Sequence, residues 1–444
     1  MMKTKILNYV IIVALVLALV LALAFLIYTI LRKPKCNCTG ALDQIPAHSY
    51  TSCSQYKSSS GCKKSKLNCQ WDGSSCSSAG GDPTPPPPGP TPSGKGVSAW
   101  MGNNDWILQI KLGTGGANCT GKTAYSCHYL YASSTQPALQ LITDTNVDSA
   151  VADNPAYRFY QTTQNRSNKW VSWNDGSGIR TAGGKSCPSG TSAKGAAHDK
   201  GTLVCNSGTT EGVYLQSSNP NWGCFNSGFT ATCDDGNTPG IQTWYAQHLL
   251  FVKLNNSSDI GDLITLMNNS NLCATDGSGP AGTNPFPSFK PYTKSVLQGE
   301  YMNKTLSNGL IIYSKPNRDA GNQDDPWAYL NQQLCGGKGM YALTYCSPQC
   351  PSGSGGKKPI GGITDVLNTH AERGGDYSAM NTNCGLAFDA FKSNHSKLGV
   401  CIASGSQVVV GGNNHEPPSQ GDRGGLFVVI DDSTLADDFR CLFK

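Results

Sequence analysis

Apolar positions in this chain fall into one long run and many short ones. Tyr9 to Leu31 is almost wholly apolar over 23 residues, with Lys3 and Lys5 before it and Arg32, Lys33 and Lys35 after. A run of that length crosses a bilayer as one helix. Ala22-Leu23-Ala24 has the small-x-small form of a cleavage site, but the run continues past it to Leu31, so an uncleaved anchor is expected. Flanking charge does not set its direction; every cysteine lies at or after Cys36, which puts the short tail inside and the bulk outside or in a lumen. Downstream the apolar runs shorten to strand length between Gly-rich turns. Strands are expected at Trp106–Leu112, Gly201–Cys205, Gly212–Gln216, Leu249–Leu254, Val400–Ala403, Gln407–Val410 and Leu426–Ile430. Helices are expected at Trp327–Leu334 and Asp365–Arg373. The order strand, loop, helix, strand recurs on either side of the middle, which predicts a mixed α+β domain of two similar α/β halves.

Composition divides the chain further. Residues 1–35 form the tail and anchor. Residues 36–76 hold six cysteines in a segment too small to bury much core, so disulfides must hold it. Residues 77–96 contain Pro83-Thr84-Pro85-Pro86-Pro87-Pro88-Gly89-Pro90-Thr91-Pro92, a spacer reaching roughly 40–60 Å. Residues 97–444 are the main domain. Nineteen cysteines and eight Asn-x-Ser/Thr sites suit an oxidising, extracellular-type compartment rather than the cytosol. The domain's thirteen cysteines leave at least one without a partner inside it if all the others pair. A net charge of +5 permits a polyanionic partner without demanding one.

The candidate chemistry lies in His198-Asp199-Lys200 and His395-Ser396-Lys397, one His-x-Lys in each half. On a strand, the histidine and lysine of such a triplet share a face and the middle residue points away. An imidazole beside an ammonium, twice over, suits a phosphodiester. A neutral imidazole can attack phosphorus, an imidazolium can protonate the leaving oxygen, and lysines can hold the remaining oxygens.

Each triplet is followed by a strand, a return, and a turn of small residues ending in Asn: Gly212 to Trp222 in the first half, Val408 to Asn414 in the second. That arrangement resembles the phospholipase D superfamily, and more closely the acid deoxyribonuclease (DNase II) family. Gly195 to Gly201, Ser218-Asn219-Pro220-Asn221-Trp222, Asn394-His395-Ser396-Lys397, Gly411-Gly412-Asn413-Asn414 and Asp422-Arg423-Gly424-Gly425 carry the resemblance. Asn104-Asp105-Trp106, Lys111-Leu112, Trp173-Asn174-Asp175 and Tyr313-Ser314-Lys315 lie collinear with them. It covers Val97 to Lys444. The resemblance implies a phospholipase D-like pseudo-dimer of two α/β/α sandwich halves. It implies an endonuclease of double-stranded DNA that needs no metal or other cofactor, favours acid pH and leaves 3′-phosphate ends through a phosphohistidine. His198, Lys200, His395 and Lys397 are then catalytic, with His198 the expected nucleophile and His395 the acid. Asn221, Asn414, Ser218 and His415 are expected to contact substrate. Two features depart from the pattern: Asp199 places an acid inside the first triplet, and Asn394 opens a glycosylation site against His395.

His128 and His248 are expected to be packed or surface residues. Cys346 and Cys350 suit disulfides better than a metal. Besides DNA, the membrane and a second copy of the chain are candidate partners. Two rivals stand beside the nuclease: an inactive surface-attachment protein on the same scaffold, motivated by the stalk, and a phospholipase or other phosphodiesterase, motivated by the anchor.

Overall fold

The structure, a computed structural model, describes residues 69–71, 76–78, 96–112, 127–147, 149–174, 197–219, 222–223, 225–226, 228–229, 246–279, 283–290, 292, 297–319, 325–344, 363–365, 395–403, 405–414 and 423–443. The expected anchor and proline-rich spacer lie outside these residues; among the described residues no helix is long and apolar enough to cross a membrane. Of the six-cysteine segment, β1 (Cys69–Trp71) and β2 (Cys76–Ser78) pair antiparallel.

The first half of the main domain contains β3 (Trp106–Lys111), β4 (Tyr129–Ser133), β5 (Gln136–Ile142), α1 (Pro155–Gln164) and β6 (Lys169–Trp173). It continues through β7 (Lys200–Cys205), β8 (Gly212–Ser217), β9 (Gln247–Leu254), α2 (Ser257–Asn269) and β10 (Ala274–Gly277). Its eight strands form one antiparallel sheet in the order β10-β6-β7-β8-β9-β3-β4-β5. The second half contains β11 (Gln298–Gly299), β12 (Met302–Thr305), β13 (Ile311–Lys315), β14 (Arg318–Asp319), α3 (Pro326–Cys335), β15 (Met340–Leu343) and β16 (Ile363–Asp365). It ends with β17 (Leu398–Cys401), β18 (Gln407–Gly411), β19 (Gly425–Asp431) and α4 (Ser433–Phe443). Seven of its strands form the sheet β12-β13-β19-β18-β17-β15-β16, antiparallel except for β15 beside β16.

Both faces of the central strands are covered, which is why β3 and β9 read as near-continuous apolar runs rather than alternating ones. The inner faces of the two sheets share one core with α2 and α4, including Leu108, Leu250, Leu263, Val410, Val428 and Phe439. On the first sheet's outer face, Val204, Val213 and Phe251 pack on Phe159 of α1. On the second's, Val409 and Phe427 pack on Trp327 of α3. The two outer helices begin alike. Asn154 accepts the Ala156 N–H and Asp325 accepts the N–H groups of Trp327 and Ala328, with Pro155 and Pro326 in the first turn, where a missing N–H is harmless. A disulfide between Cys335 and Cys401 ties α3 to β17, while Cys205 is a buried free thiol in the odd-numbered set.

Five strands of each half correspond in order and register. The order β6-β7-β8-β9-β3 is repeated by β15-β17-β18-β19-β13. Across the first sheet Lys200 pairs with Ser217, Ser217 with Leu249 and Leu249 with Gln109. In the second sheet Gly411 pairs with Phe427 and Phe427 with Tyr313, and the Gly411 N–H donates to the Lys397 carbonyl. Lys200 thus matches Lys397, Ser217 matches Gly411, and Lys111 at the end of β3 matches Lys315 at the end of β13.

A strand lies at each expected place, most within a residue or two of the expected bounds, though the one expected at Val400–Ala403 runs from Leu398 to Cys401 and the first ends at Lys111 rather than Leu112; the helix expected from Trp327 is present as well. Asp365, where a helix is expected to begin, is the last residue of β16, and residues 366–373 of that expected helix lie outside the described residues. One expectation needs correction. The triplets do not sit within strands: Lys200 is the first residue of β7, and His395 to Lys397 precede β17.

Candidate active site

Each triplet leads into a strand of its own half but is hydrogen-bonded to the other half. The His198 N–H donates to Gly424 O at 2.8 Å, on the approach to β19, and the His395 N–H donates to Ala246 O at 2.8 Å, on the approach to β9. Because β9 and β19 are equivalent strands, the exchange is reciprocal. The Arg423 guanidinium adds a bond to Ala197 O at 3.2 Å. Both motif lysines are buried, and each turns back on its own histidine: Lys200 Nζ donates to His198 O at 3.3 Å and Lys397 Nζ donates to His395 O. Lysine is almost never buried without partners. Here Lys111, Lys200, Lys315 and Lys397 are all at most 1% exposed, and burial lowers Lys111 to about 7.

The His198 ring is oriented by the second half. Its Nδ1 lies 2.8 Å from Gly412 O. A carbonyl only accepts, so Nδ1 carries the proton, and in the neutral ring the lone pair is on Nε2. Gly412 can approach because it has no side chain: a Cβ there would lie 2.1 Å from Asp199 Oδ1. Asp199 turns inward, accepting from Trp173 Nε1 at 3.1 Å and Gln216 Nε2 at 2.6 Å. Burial pushes its carboxyl up to about 7, against the pull of those bonds and of Lys200. It is therefore protonated, and neutral, under acid conditions.

His248 lies at the junction. It is fully buried, its Nδ1 accepts the Lys397 N–H at 3.2 Å, and its backbone N–H donates to Ser218 Oγ at 2.9 Å. Burial, then Lys397 and Lys200, hold it well below the ordinary imidazole value. Ser218, expected to touch substrate, is buried and bound to the His248 backbone. Asn414 is buried on the turn after β18, while Asn221, His415 and Asn394 lie outside the described residues. His128 is part-exposed before β4, and burial lowers its value against the pull of Asp144.

Several residues at this junction were not singled out by the motifs. In register, Asn219 of the first half corresponds to Asn413 of the second, and both are buried. Gln216 and His248 belong with them, and neither has a spacing that distinguishes it from ordinary strand residues; Gly412 lies inside a motif turn, but its contact with the His198 ring does not show there. Among the described residues no group of three or more His, Cys, Asp or Glu side chains could hold a metal ion.

Residues 102–310 match the family model of deoxyribonuclease II. The match contains the first triplet and stops just before β13, so the second triplet lies beyond it. No curated protein matches the chain. Among solved structures, the crystal structure of polyphosphate kinase from Porphyromonas gingivalis aligns at 12% identity over 54% of this chain and 31% of its own length, with a TM-score of 0.23. That likeness is too slight to carry an argument.

Proposed function

Because residues 102–310 match the deoxyribonuclease II family model, we propose that this chain is an endonuclease that hydrolyses double-stranded DNA through its two His-x-Lys triplets. The observation that carries the reading is the reciprocal lock: each triplet is held by the other half, so neither half is complete alone. In this reading the repeated five-strand order is a phospholipase D-like pseudo-dimer.

His198 Nε2 attacks phosphorus, forming a P–N bond as the P–O5′ bond breaks. His395, as imidazolium, gives its proton to the departing O5′, and the 3′ side stays on His198 as a phosphohistidine. Neutral His395 then takes a proton from water as that water attacks phosphorus. The P–N bond breaks, a 3′-phosphate leaves and both rings are restored. No metal takes part in this scheme. Lys200 and Lys397 neutralise the non-bridging oxygens as charge builds. Asn219, Asn413 and Asn414 line the turns nearest them. One ring must be neutral and the other charged, so the rate peaks near or below about pH 6.5, where imidazole titrates.

The anchor and spacer complete the proposal. Tyr9–Leu31 holds the chain in a membrane as a single-pass type II protein, and the proline segment carries the nuclease away from it on the extracellular or lumenal side. The Cys335–Cys401 bridge fits that oxidising side.

The test is plasmid cleavage by the full chain in EDTA from pH 4 to 8, with His198→Ala and His395→Ala alongside. Acid-favoured, chelator-resistant nicking that falls by about a thousandfold or more in both variants is expected. A folded wild-type chain that nicks nothing across the range overturns the nuclease and leaves the attachment scaffold.

A further inference from the structure

Beyond the two triplets, the matched registers reveal a second pair of lysines, Lys111 and Lys315, at the same end of the sheets. Lys315 is completely buried, and its ammonium donates to three backbone carbonyls: Pro316 O at 3.0 Å, Asn317 O at 3.1 Å and Arg423 O at 3.1 Å. An ammonium has three N–H donors, enough to serve all three acceptors. One of the three belongs to the approach to β19, the same stretch that grips the first triplet.

The connection from there to His198 is short. Arg423 O, held by Lys315, also accepts from Asn413 Nδ2 at 3.2 Å. The Arg423 side chain reaches Ala197 O, and the next carbonyl, Gly424 O, takes the His198 N–H. Gly412, whose carbonyl orients the His198 ring, donates its own N–H to Leu426 O at 3.0 Å, two residues further along the same strand. The stretch has no slack: a Cβ on Gly424 would lie 2.1 Å from Ser270 O, and one on Gly425 would lie 1.5 Å from Asn413 Oδ1. The contacts that fix the backbone and the ring of His198 from the second half therefore rest on residues 423–426, and Lys315 pins their leading end.

We propose that Lys315 is a positioning residue for the nucleophile, holding the Arg423–Gly424 approach so that the second half keeps the His198 ring in its Nδ1–H form. This rests on the nuclease reading for its catalytic consequence but not for its structural one. An uncharged side chain of similar length would fill the space and leave the three carbonyls without this donor. The approach to β19 then relaxes, and with it the backbone contact of His198 and the Gly412 contact that selects its tautomer. Lys111, in the matching place at the end of β3, is the corresponding position in the first half, and its Nζ donates to Leu112 O at 3.4 Å.

The experiment compares the full wild-type chain with Lys315→Met by 15N histidine NMR, with His198 assigned by its loss in His198→Ala, and by steady-state cleavage. Wild type is expected to show His198 as a single Nδ1–H tautomer. Lys315→Met is expected to show mixed tautomers, with kcat down at least tenfold and KM within threefold. Lys315→Gln, which keeps two donors, covers failure of the Met variant to fold and is expected to show a smaller loss in the same direction. Wild-type tautomer and kcat within twofold in whichever variant folds overturns the assignment. If wild type cuts no DNA, the nuclease reading fails, and the tautomer comparison still decides the role of Lys315.

Discussion

The two halves of the domain carry the same five strands in the same register, yet their triplets are built differently. In the first, the residue between histidine and lysine is Asp199, buried against Trp173 and Gln216; in the second it is Ser396. The turn opposite Asp199 has Gly412, while the matching residue of the first half is Ser218, whose hydroxyl is taken by the His248 backbone. A strict two-fold would make both histidines chemically alike. The proposed reaction needs one neutral and one charged ring, and the asymmetry around Asp199 and Gly412 supplies a difference where the halves meet.

The largest effect expected from breaking this comparison comes from exchanging the turn residues. Gly412→Ala drives a methyl into Asp199, so either the turn or the carboxylate must shift. Overpacking of this kind costs about 1–3 kcal/mol of stability. Displacing Gly412 O by about 1 Å from the His198 ring should lower kcat by roughly 100-fold. Ser218→Ala at the matching position removes one hydrogen bond, about 1 kcal/mol, and should lower activity by less than about tenfold. Asp199→Ser in the Gly412→Ala background opens the space and should restore a good part of the stability. Thermal unfolding and steady-state cleavage of the three variants check the order. Equal losses in Gly412→Ala and Ser218→Ala would mean that the halves are interchangeable here.

A smaller effect follows from Asp199 itself. Its carboxyl is raised from 3.8 to about 7, so the folded state binds a proton more readily than the unfolded state. The resulting stability is fully present below the unfolded value and is lost as pH rises through about 7. Asp199→Asn carries no such proton. The unfolding temperature of wild type relative to Asp199→Asn should therefore rise steadily as pH falls from 8 to 5. A difference that stays flat over that range would show that Asp199 titrates normally and is not sealed from water.

Much of this arrangement could be read from the chain. Strands such as Gly212–Ser217 and Gly425–Asp431 were visible because covered strands are continuously apolar, and the triplets were visible because two His-x-Lys units precede similar hairpins. The pairing of Asn221 with Asn414 was not reliable. Ser217 and Gly411 are equivalent in the sheets, but Asn221 lies four residues beyond the first and Asn414 three beyond the second, so matching the motifs by their final Asn slips by one the register in which Asn219 corresponds to Asn413. The crossing of each triplet to the opposite half was also hidden. Those bonds use backbone atoms of Ala246, Gly412 and Gly424, and backbone atoms leave no mark on side-chain identity. Lys111 and Lys315 could be seen as strand-end lysines, but only burial shows that neither is a solvated strand end.

The smallest effect separates β9 from β19, where His248 stands in register with Leu426. His248→Leu gives the first half the second half's residue and removes the acceptor for the Lys397 N–H. Near pH 7.5 that should cost about 1 kcal/mol. The pH dependence runs opposite to that of Asp199. The His248 value is held well below 6.5, so its contribution is present above that pH and is lost as the solution acidifies and the unfolded chain takes up the proton. On acidification below about 6.5 the wild-type histidine loses a contribution that leucine does not. His248→Leu should therefore be the less stable form at pH 7.5 and equal or more stable at pH 5, as measured by urea unfolding at both pH values. Cleavage at pH 5 separates the two roles left for the imidazole. Full activity makes it a packed residue that leucine can replace. A loss despite the gained stability means that His248 is kept here because it holds Lys397 in place at the junction of the halves.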